Sequence, residues 1–169
     1  MSASHQPIHC AVIIGVGASK AIVAAVCRRI AREGLLVYVV GRTAHKVESI
    51  AAEIQQAGGQ VIAHILDATN LTQVSALFAD IAAKNQIVDL TINIVGRHTP
   101  SHSLRTSTKF FDLMRRMTIF SDFLVSQQAI LAMLPQQKGT LKTKKEHYSM
   151  LLLICVLLSS SGQRATRRF

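Results

Sequence analysis

A short apolar run that meets two glycines and continues as an amphipathic segment is the strongest constraint on this chain. Residues 10–25 read CAVIIGVGASKAIVAA, and residues 11–14 are wholly apolar and rich in β-branched side chains. Such a run is typical of a strand covered on both faces by helices. Gly15 and Gly17 follow, and without a Cβ they let the backbone turn sharply and approach a ligand. A helix that begins near Ser19 would point free N–H groups at the same place, so this stretch is predicted to bind an anionic diphosphate.

Apolar runs alternate with segments of helical periodicity through residues 1–134. Strands are predicted at residues 11–14, 35–40, 61–66 and 88–95, and helices at residues 19–33, 44–57, 71–84 and 109–134. Gly34 ends the first helix, the glycines at 58 and 59 end the second, and Pro135 ends the fourth. Thr43 and Asn70 are predicted N-caps. This alternation predicts right-handed crossovers and a parallel sheet, and therefore an α/β fold.

The length and the charge distribution indicate one domain with a distinct tail. A chain of 169 residues that is 49% hydrophobic can form one core of ordinary size. Residues 142–169 carry six of the 19 Lys and Arg residues but only one of the nine acids. We therefore predict a folded domain at residues 1–141 and a basic, apolar tail at residues 142–169. The tail could bind nucleic acid, but no aromatic side chain beyond Tyr148 is interleaved with its basic residues, which favours a solvated end without that partner.

The cysteines and the N-terminus favour a reducing, cytoplasmic setting. The three cysteines form no Cys-x-x-Cys pair, which argues against a disulfide framework and a structural zinc site. Two histidine pairs four residues apart are each interrupted by a proline, so no metal site is predicted. The first residues, MSASHQPIH, do not resemble a secretory signal. The longest apolar run, residues 150–158, is far shorter than the roughly 20 residues that cross a bilayer, so no membrane span is predicted.

Five segments follow one another in an order and at spacings that carry a family resemblance: IIGVGASKAI, VVGRTAHKVE, ILDATN, INIVGR and FFDLMRRMTIFSDFLVSQQAIL. They resemble, in turn, the glycine-rich turn, the ends of the second and third strands, the Asn-Asn-Ala-Gly segment and the long helix of the short-chain dehydrogenase/reductase family. The likeness covers about residues 9–141. It implies a Rossmann-like, doubly wound parallel sheet, here incomplete with about four strands. Residues 150–158 could add a makeshift fifth strand beside the fourth, or form an unpaired, aggregation-prone segment.

The glycine-rich turn departs from the family pattern Thr-Gly-x-x-x-Gly-x-Gly. Gly15 matches the first glycine, whereas Ser19 and Ala21 stand at the second and third. Ala21 is a small change, because that glycine mainly permits close helix–strand packing. Ser19 places a side chain where the backbone would approach the diphosphate, although it could serve as an N-cap. Lys20 is either a cation beside the phosphates or an ordinary exposed lysine.

The resemblance also implies a cofactor, with NADP favoured over NAD. Arg42 follows the second strand, where family members that use NAD tend to place an acid, and an arginine suits a 2′-phosphate. Arg42 could instead be a simple surface residue. Asp67 and Ala68 match the family position near the adenine ring. Asn93 and Gly96 match two positions of Asn-Asn-Ala-Gly, and Asn93 is expected to satisfy backbone groups between strands.

The family's catalytic pattern is missing from this sequence. The family uses a tyrosine, a lysine four residues later, a preceding serine and an asparagine in the long helix. Thr118 stands at the position of that asparagine. Tyr148 is followed four residues later by Leu152, and Ser149 follows the tyrosine rather than preceding it. The resemblance therefore predicts no catalytic residue in this chain.

These observations leave two hypotheses of different classes. The first is a truncated short-chain dehydrogenase/reductase that keeps the dinucleotide-binding half, in a family that transfers hydride between NADPH and a carbonyl or alcohol. The alternative is a non-catalytic partner subunit or a nonfunctional product. In the family the long helix commonly packs against a neighbouring subunit, so residues 109–134 could pair in a homo-oligomer or with an intact relative. Ordinary core packing would explain the same apolar pattern.

We expect the purified protein to show no NADPH-dependent reduction of a broad panel of carbonyl compounds, followed by NADPH absorbance. The reason is that no recognisable group donates the proton that accompanies hydride transfer. Any turnover would contradict this expectation, and Tyr148→Phe would then identify the donor: loss of turnover would implicate Tyr148, and survival would point to another group.

Overall fold

The computed structural model describes residues 7–16, 22–96 and 107–143, and every structural statement below concerns these residues. The strands are β1 (Ile8–Ile14), β2 (Leu36–Gly41), β3 (Val61–Ile65), β4 (Gln86–Asn93) and β5 (Thr140–Thr143). The helices are α1 (Ile22–Arg32), α2 (Ala44–Gln56), α3 (Leu71–Ala83), α4 (Thr108–Arg115) and α5 (Ser121–Met133). A π-helical segment, Arg116–Phe120, joins α4 to α5, and a 3₁₀ turn, Leu134–Gln136, follows α5. The predicted alternation of strands and helices is confirmed.

The described strands form one sheet in the order β3-β2-β1-β4-β5, with every neighbouring pair parallel. The order reverses between β1 and β4, because the chain builds outward from β1 in one direction and from β4 in the other. Right-handed crossovers then place the intervening helices on both faces. This is the predicted doubly wound, Rossmann-like α/β fold.

Two apolar layers enclose the sheet, as the uninterrupted hydrophobic strands predicted. Residues 10–14 of β1 are at most 1% exposed, and successive side chains point into opposite layers. One layer packs against α1 and α2. The other packs against α3 and α5. The sheet is therefore covered on both faces along residues 10–14 of β1 and along β2, which favours apolar side chains at these positions.

The helix boundaries follow the predicted signals. Asn70 caps α3, since its side-chain oxygen accepts a hydrogen bond from the Gln73 N–H. Thr43 occupies the N-cap position of α2 without a side-chain hydrogen bond. Gly34 and Gly58 adopt positive φ after α1 and α2, the conformation in which helices commonly end.

Residues 150–158 had two open interpretations, a makeshift fifth strand beside β4 or an unpaired segment. The place beside β4 is taken by Thr140–Thr143, with Leu90 opposite Thr140 and Asn93 opposite Thr143. A local turn explains this, because Gln137 and Gly139 both have positive φ and reverse the chain within a few residues of α5. Residues 150–158 lie outside the described residues. The boundary after residue 141 stays a prediction.

The long helix has the predicted extent, but the face that it buries differs from the one that a regular helical period gives. That period places Met117, Phe120, Leu124 and Leu131 on one face. Met117 and Leu124 are buried, whereas Phe120 and Leu131 are 40% and 53% exposed. A π-helical turn contains more residues than an α-helical turn, so it rotates the part of the helix that follows it. Pro135 lies within the 3₁₀ turn that terminates the helix.

One described helix, Thr108–Gln136, is long and apolar enough to cross a membrane, with a mean hydropathy of 1.4. The core helix of a soluble protein can have the same length and composition. This helix packs on α3 and β4, and 44% of its most apolar stretch is buried within the fold. Length and composition are therefore weak evidence for a span.

Two glycines let the carboxyl ends of three strands come close together. Gly15 has a φ of +101°, and a Cβ there would lie 2.7 Å from the carbonyl carbon and oxygen of Ile94. A Cβ at Gly41 would lie 2.7 Å from the carbonyl oxygen of Val16. The backbones after β1, β2 and β4 therefore meet at distances that no other residue type would allow.

We expect Gly15→Ala to destabilise the protein by more than about 3 kcal/mol, because backbone strain adds to a clash with backbone atoms. Gly34→Ala is the matched control, since Gly34 has a φ of +86° but nothing within 4 Å of its Cβ position. The control should lose only about 1 kcal/mol. Urea unfolding measures both losses. Equal losses would show that the close crossing contributes nothing.

Substitutions at Leu124 and Phe120 distinguish core packing from subunit pairing along the long helix. Leu124 is 3% exposed, so Leu124→Glu is expected to unfold the protein by burying a carboxylate. Phe120→Glu is expected to leave the fold intact, because that side chain is 40% exposed beside Arg116. Circular dichroism follows unfolding and sedimentation follows association. Unfolding of Phe120→Glu would make that face part of the core, and conversion of a dimer to a monomer would support pairing.

Candidate functional site

A cavity of about 270 Å³ opens at the carboxyl edge of the sheet, where the strand order reverses. It is lined by the residues that follow β1, β2, β3 and β4 and by Met117 of the π-helical segment. Ligands of open α/β sheets bind at this topological position. Five of the predicted site residues line it: Gly15, Arg42, Asp67, Ala68 and Gly96.

The turn after β1 closes one side of the cavity. The backbone N–H groups of Gly15 and Val16 both donate to the carbonyl of Val40, at 3.0 Å each. Because those donors are already used, the phosphate-binding N–H groups would have to come from later in the turn. Gly17, Ser19 and Lys20, which the sequence assigned to that task, lie outside the described residues.

The end of β2 and the first turn of α2 contribute two cations. Arg42 follows β2 directly, and Lys46 lies one helical turn further on. Both side chains line the cavity and are exposed to solvent. Thr43, between them, lines it as well. The cations lie at the N-terminal end of α2, which itself favours anions.

Asp67 supplies the carboxylate of the cavity. Its Oδ1 accepts hydrogen bonds from the Thr69 N–H at 2.9 Å and the Thr69 hydroxyl at 2.8 Å. Burial raises the pKa of Asp67, but the Thr69 hydrogen bonds and the charges of Arg42 and Arg116 outweigh it, so the pKa is lowered overall. The carboxylate is therefore ionised at neutral pH and held in one orientation, able to accept a hydrogen bond from an amino or hydroxyl group.

Asn93 lies behind the cavity wall rather than on it. Its side chain is 3% exposed, and its Nδ2 donates to the Asp122 carboxylate at 2.9 Å. The sequence predicted backbone groups as its partners, and this was wrong. Helix α5 places the Asp122 carboxylate within hydrogen-bond distance of Asn93. The apolar periodicity of the sequence did not predict that Asp122 is buried.

The position that matches the family asparagine holds a hydroxyl already engaged with the helix. Thr118 donates to the carbonyl of Met114 at 2.7 Å within the π-helical segment. Tyr148 and Ser149 lie outside the described residues. Sequence reasoning missed nine residues of the lining, and only Lys46 had a usable signal, its position one helical turn after Arg42. The nine are Ile14, Val16, Gly41, Thr43, Lys46, Leu66, Thr69, Val95 and Met117.

The described residues contain two thiols, Cys10 and Cys27, and neither these nor the potential metal ligands form a reactive site. Burial is the main cause that raises the pKa of Cys10 and of Cys27 to about 12, so both thiols are protonated at neutral pH. Neither forms a disulfide. Within residues 7–16, 22–96 and 107–143, no group of three or more His, Cys, Asp or Glu side chains could hold a metal ion.

Comparisons with known proteins agree with this geometry. The family model described as short chain dehydrogenase matches residues 11–141. Dehydrogenase/reductase SDR family member 11 of Gallus gallus is 31% identical over 124 residues, which cover 72% of this chain and 49% of that protein. This chain thus spans about half the length of the curated relatives it matches.

Solved structures share the fold. A short-chain dehydrogenase from Rhodopseudomonas palustris superposes with a TM-score of 0.73 at 27% identity, covering 80% of this chain and 62% of that one. A metagenomic short-chain oxidoreductase in complex with NADP has a TM-score of 0.72 at 21% identity, covering 81% and 61% of the respective chains, a likeness of fold alone. With the family model matched over most of its length and the fold shared with these structures, the chain belongs to the short-chain dehydrogenase family.

Proposed function

We propose that this chain binds a dinucleotide cofactor at the carboxyl-edge cavity and prefers NADP over NAD. The observation that carries the preference is Arg42, which follows β2 and lines the cavity together with Lys46. The 2′-phosphate is the chemical difference between the two cofactors, and a guanidinium binds phosphate through charge-assisted hydrogen bonds.

The residues of the cavity fit the adenosine end of such a cofactor. Gly15 and Gly41 let the backbones after β1, β2 and β4 pack directly against one another, so that part of the cavity wall is backbone. Arg42 and Lys46 provide positive charge, and Asp67 provides an oriented hydrogen-bond acceptor. Arg42 and Lys46 would hold the 2′-phosphate, while Asp67 would accept a hydrogen bond near the adenine ring. When bound, the cofactor supplies a hydride that the family transfers to or from a substrate.

The catalytic state of the chain is a separate part of the proposal. The sequence has no Tyr-x-x-x-Lys, and we propose a truncated family member that binds the cofactor without turning over a carbonyl substrate. A cytoplasmic location is part of the same proposal, supported by the unpaired Cys10 and Cys27.

The alternative is a non-catalytic partner subunit, and one observation favours it. The long helix exposes large apolar side chains, among them Phe111 at 64% and Ile119 at 43%. Such side chains would suit pairing in a homo-oligomer or with an intact relative. Cofactor binding and pairing are compatible with each other.

We expect NADPH to bind at least about tenfold more tightly than NADH, because a charge-assisted contact contributes roughly 1.5–3 kcal/mol. Arg42→Ala should remove most of this preference and leave NADH binding unchanged. Arg29→Ala is the matched control, since Arg29 is 76% exposed in α1 and pairs with Glu33. Ser19→Gly is expected to improve the affinity for both cofactors. Isothermal titration calorimetry measures all four proteins.

Two results would contradict this proposal. Equal affinities for NADPH and NADH in the wild type would remove Arg42 from the site. No binding of either cofactor by a demonstrably folded sample would remove the dinucleotide function altogether.

A further inference from the structure

A group of buried polar side chains lies between β4 and α5, directly behind the cavity. Thr91 and Asn93 are 0% and 3% exposed, and Asp122 and Ser126 are 2% and 1% exposed. Thr91 and Asn93 are two residues apart on the strand and share one face, opposite the face of Leu90 and Ile92. Asp122 and Ser126 are one turn apart on the facing helix. We name these four residues, Thr91, Asn93, Asp122 and Ser126, the β4–α5 polar cluster.

Stability alone does not explain this cluster. The Asn93–Asp122 hydrogen bond is 2.9 Å long, but Asn93 Oδ1, Thr91 Oγ1 and Ser126 Oγ are buried without a hydrogen-bond partner among the described residues. Buried polar groups of this kind are unfavourable, and apolar side chains of similar shape are often equally or more stable. The hydrogen-bonded pair Asn93 and Asp122 is therefore expected to have a role other than stabilising the contact between β4 and α5.

Asn93, the member of the pair on β4, immediately precedes the residues that form one wall of the cavity. Asn93 is the last residue of β4. The next residue, Ile94, donates its N–H to the Ile14 carbonyl at 2.9 Å and lies against Gly15. Val95 and Gly96 then line the cavity. Fixing the side chain of Asn93 therefore fixes the starting point of this wall.

The helix side of the pair sets the rotation of the long helix. Asp122 follows the π-helical segment by two residues, and Met117 within that segment lines the cavity. The Ser121 hydroxyl donates to the carbonyls of Met117 at 2.7 Å and Thr118 at 3.3 Å, which satisfies backbone groups in the segment. If the segment returned to α-helical geometry, the helix beyond it would rotate by about 100° for each residue of shift. A residue other than Asp122 would then face Asn93.

We propose that Asp122 is a positioning residue for the dinucleotide cavity. Its hydrogen bond to Asn93 selects the helix rotation that brings Met117 to the cavity and fixes the path of residues 94–96 along the opposite wall. The affinity part of its test rests on the proposed cofactor binding, whereas the structural part does not.

The first measurement is amide hydrogen exchange on the cofactor-free protein. In Asp122→Leu, residues 94–96 and 117–120 are expected to exchange at least about tenfold faster, while Val61–Ile65 of β3 stays unchanged. Asp112→Leu is the matched control, a carboxylate on the same helix that is exposed and pairs with Arg115. A uniform loss of protection across the sheet would overturn the proposal, because it would mean that Asp122 only stabilises the fold.

The second measurement is NADPH affinity by calorimetry in three further variants. Asp122→Asn keeps an oxygen acceptor and should bind within about threefold of wild type. The exchanged pair Asn93→Asp with Asp122→Asn keeps one carboxylate and one amide and should do the same. The apolar pair Asn93→Leu with Asp122→Leu removes both polar groups of this hydrogen bond together, and it should still fold and lose at least about tenfold in affinity.

The outcomes separate this inference from the proposed function. Wild-type affinity in the apolar pair would overturn the positioning role. An absence of NADPH and NADH binding in the wild type would overturn the proposed function, and the exchange measurement would still decide the role of Asp122. If Asp122→Leu fails to fold, the apolar pair replaces it in the exchange measurement, since it leaves no amide without its partner.

Discussion

The close crossing of two backbones at Gly15 and Ile94 is the contact on which the rest of the structure depends. β1 and β4 are neighbours in the sheet, but their following helices lie on opposite faces, so the chain separates there and leaves a crevice. The crevice stays narrow because Gly15 lets its backbone lie against that of Ile94. Gly41 extends the same packing to the end of β2. The cavity is thus built mainly from backbone, with side chains added at its rim.

The charges at that rim determine which ligands the cavity favours. Arg42 and Lys46 lie on one side, and Arg116 is close enough for its charge to help lower the pKa of Asp67. Asp67 offsets only one of these three positive charges, and its carboxylate accepts hydrogen bonds from Thr69. An anionic ligand that also carries an amino group able to donate a hydrogen bond matches both the positive charge of the rim and the acceptor at Asp67. The proposed dinucleotide site rests on the backbone of this crevice, and the proposed preference for NADP rests on the charges of its rim.

The sequence predicted those features that depend on local pattern and failed where tertiary packing decides. Strand and helix positions follow from apolar periodicity, and Gly15, Arg42 and Asp67 could be found because they follow strands whose ends meet at one edge. The strand beside β4 could not be located from hydrophobicity, because its position depends on a short turn with positive φ at Gln137 and Gly139. Met117 could not be assigned to the cavity, since that requires the packing of the long helix on the sheet.

The long helix shows why periodicity alone misreads a buried surface. A regular 3.6-residue pattern places Phe120 and Leu131 inside, and the π-helical segment turns both toward solvent. The same rotation brings Ser121, Asp122 and Ser126 inside, where a purely stabilising design would use apolar residues. Hydrophobic burial supports this rotation as well, since Leu124, Val125, Ala129 and Met133 lie inside with the polar residues. Directional contacts add to it, and the hydrogen bond between Asn93 and Asp122 joins the helix to the strand that leads into the cavity wall.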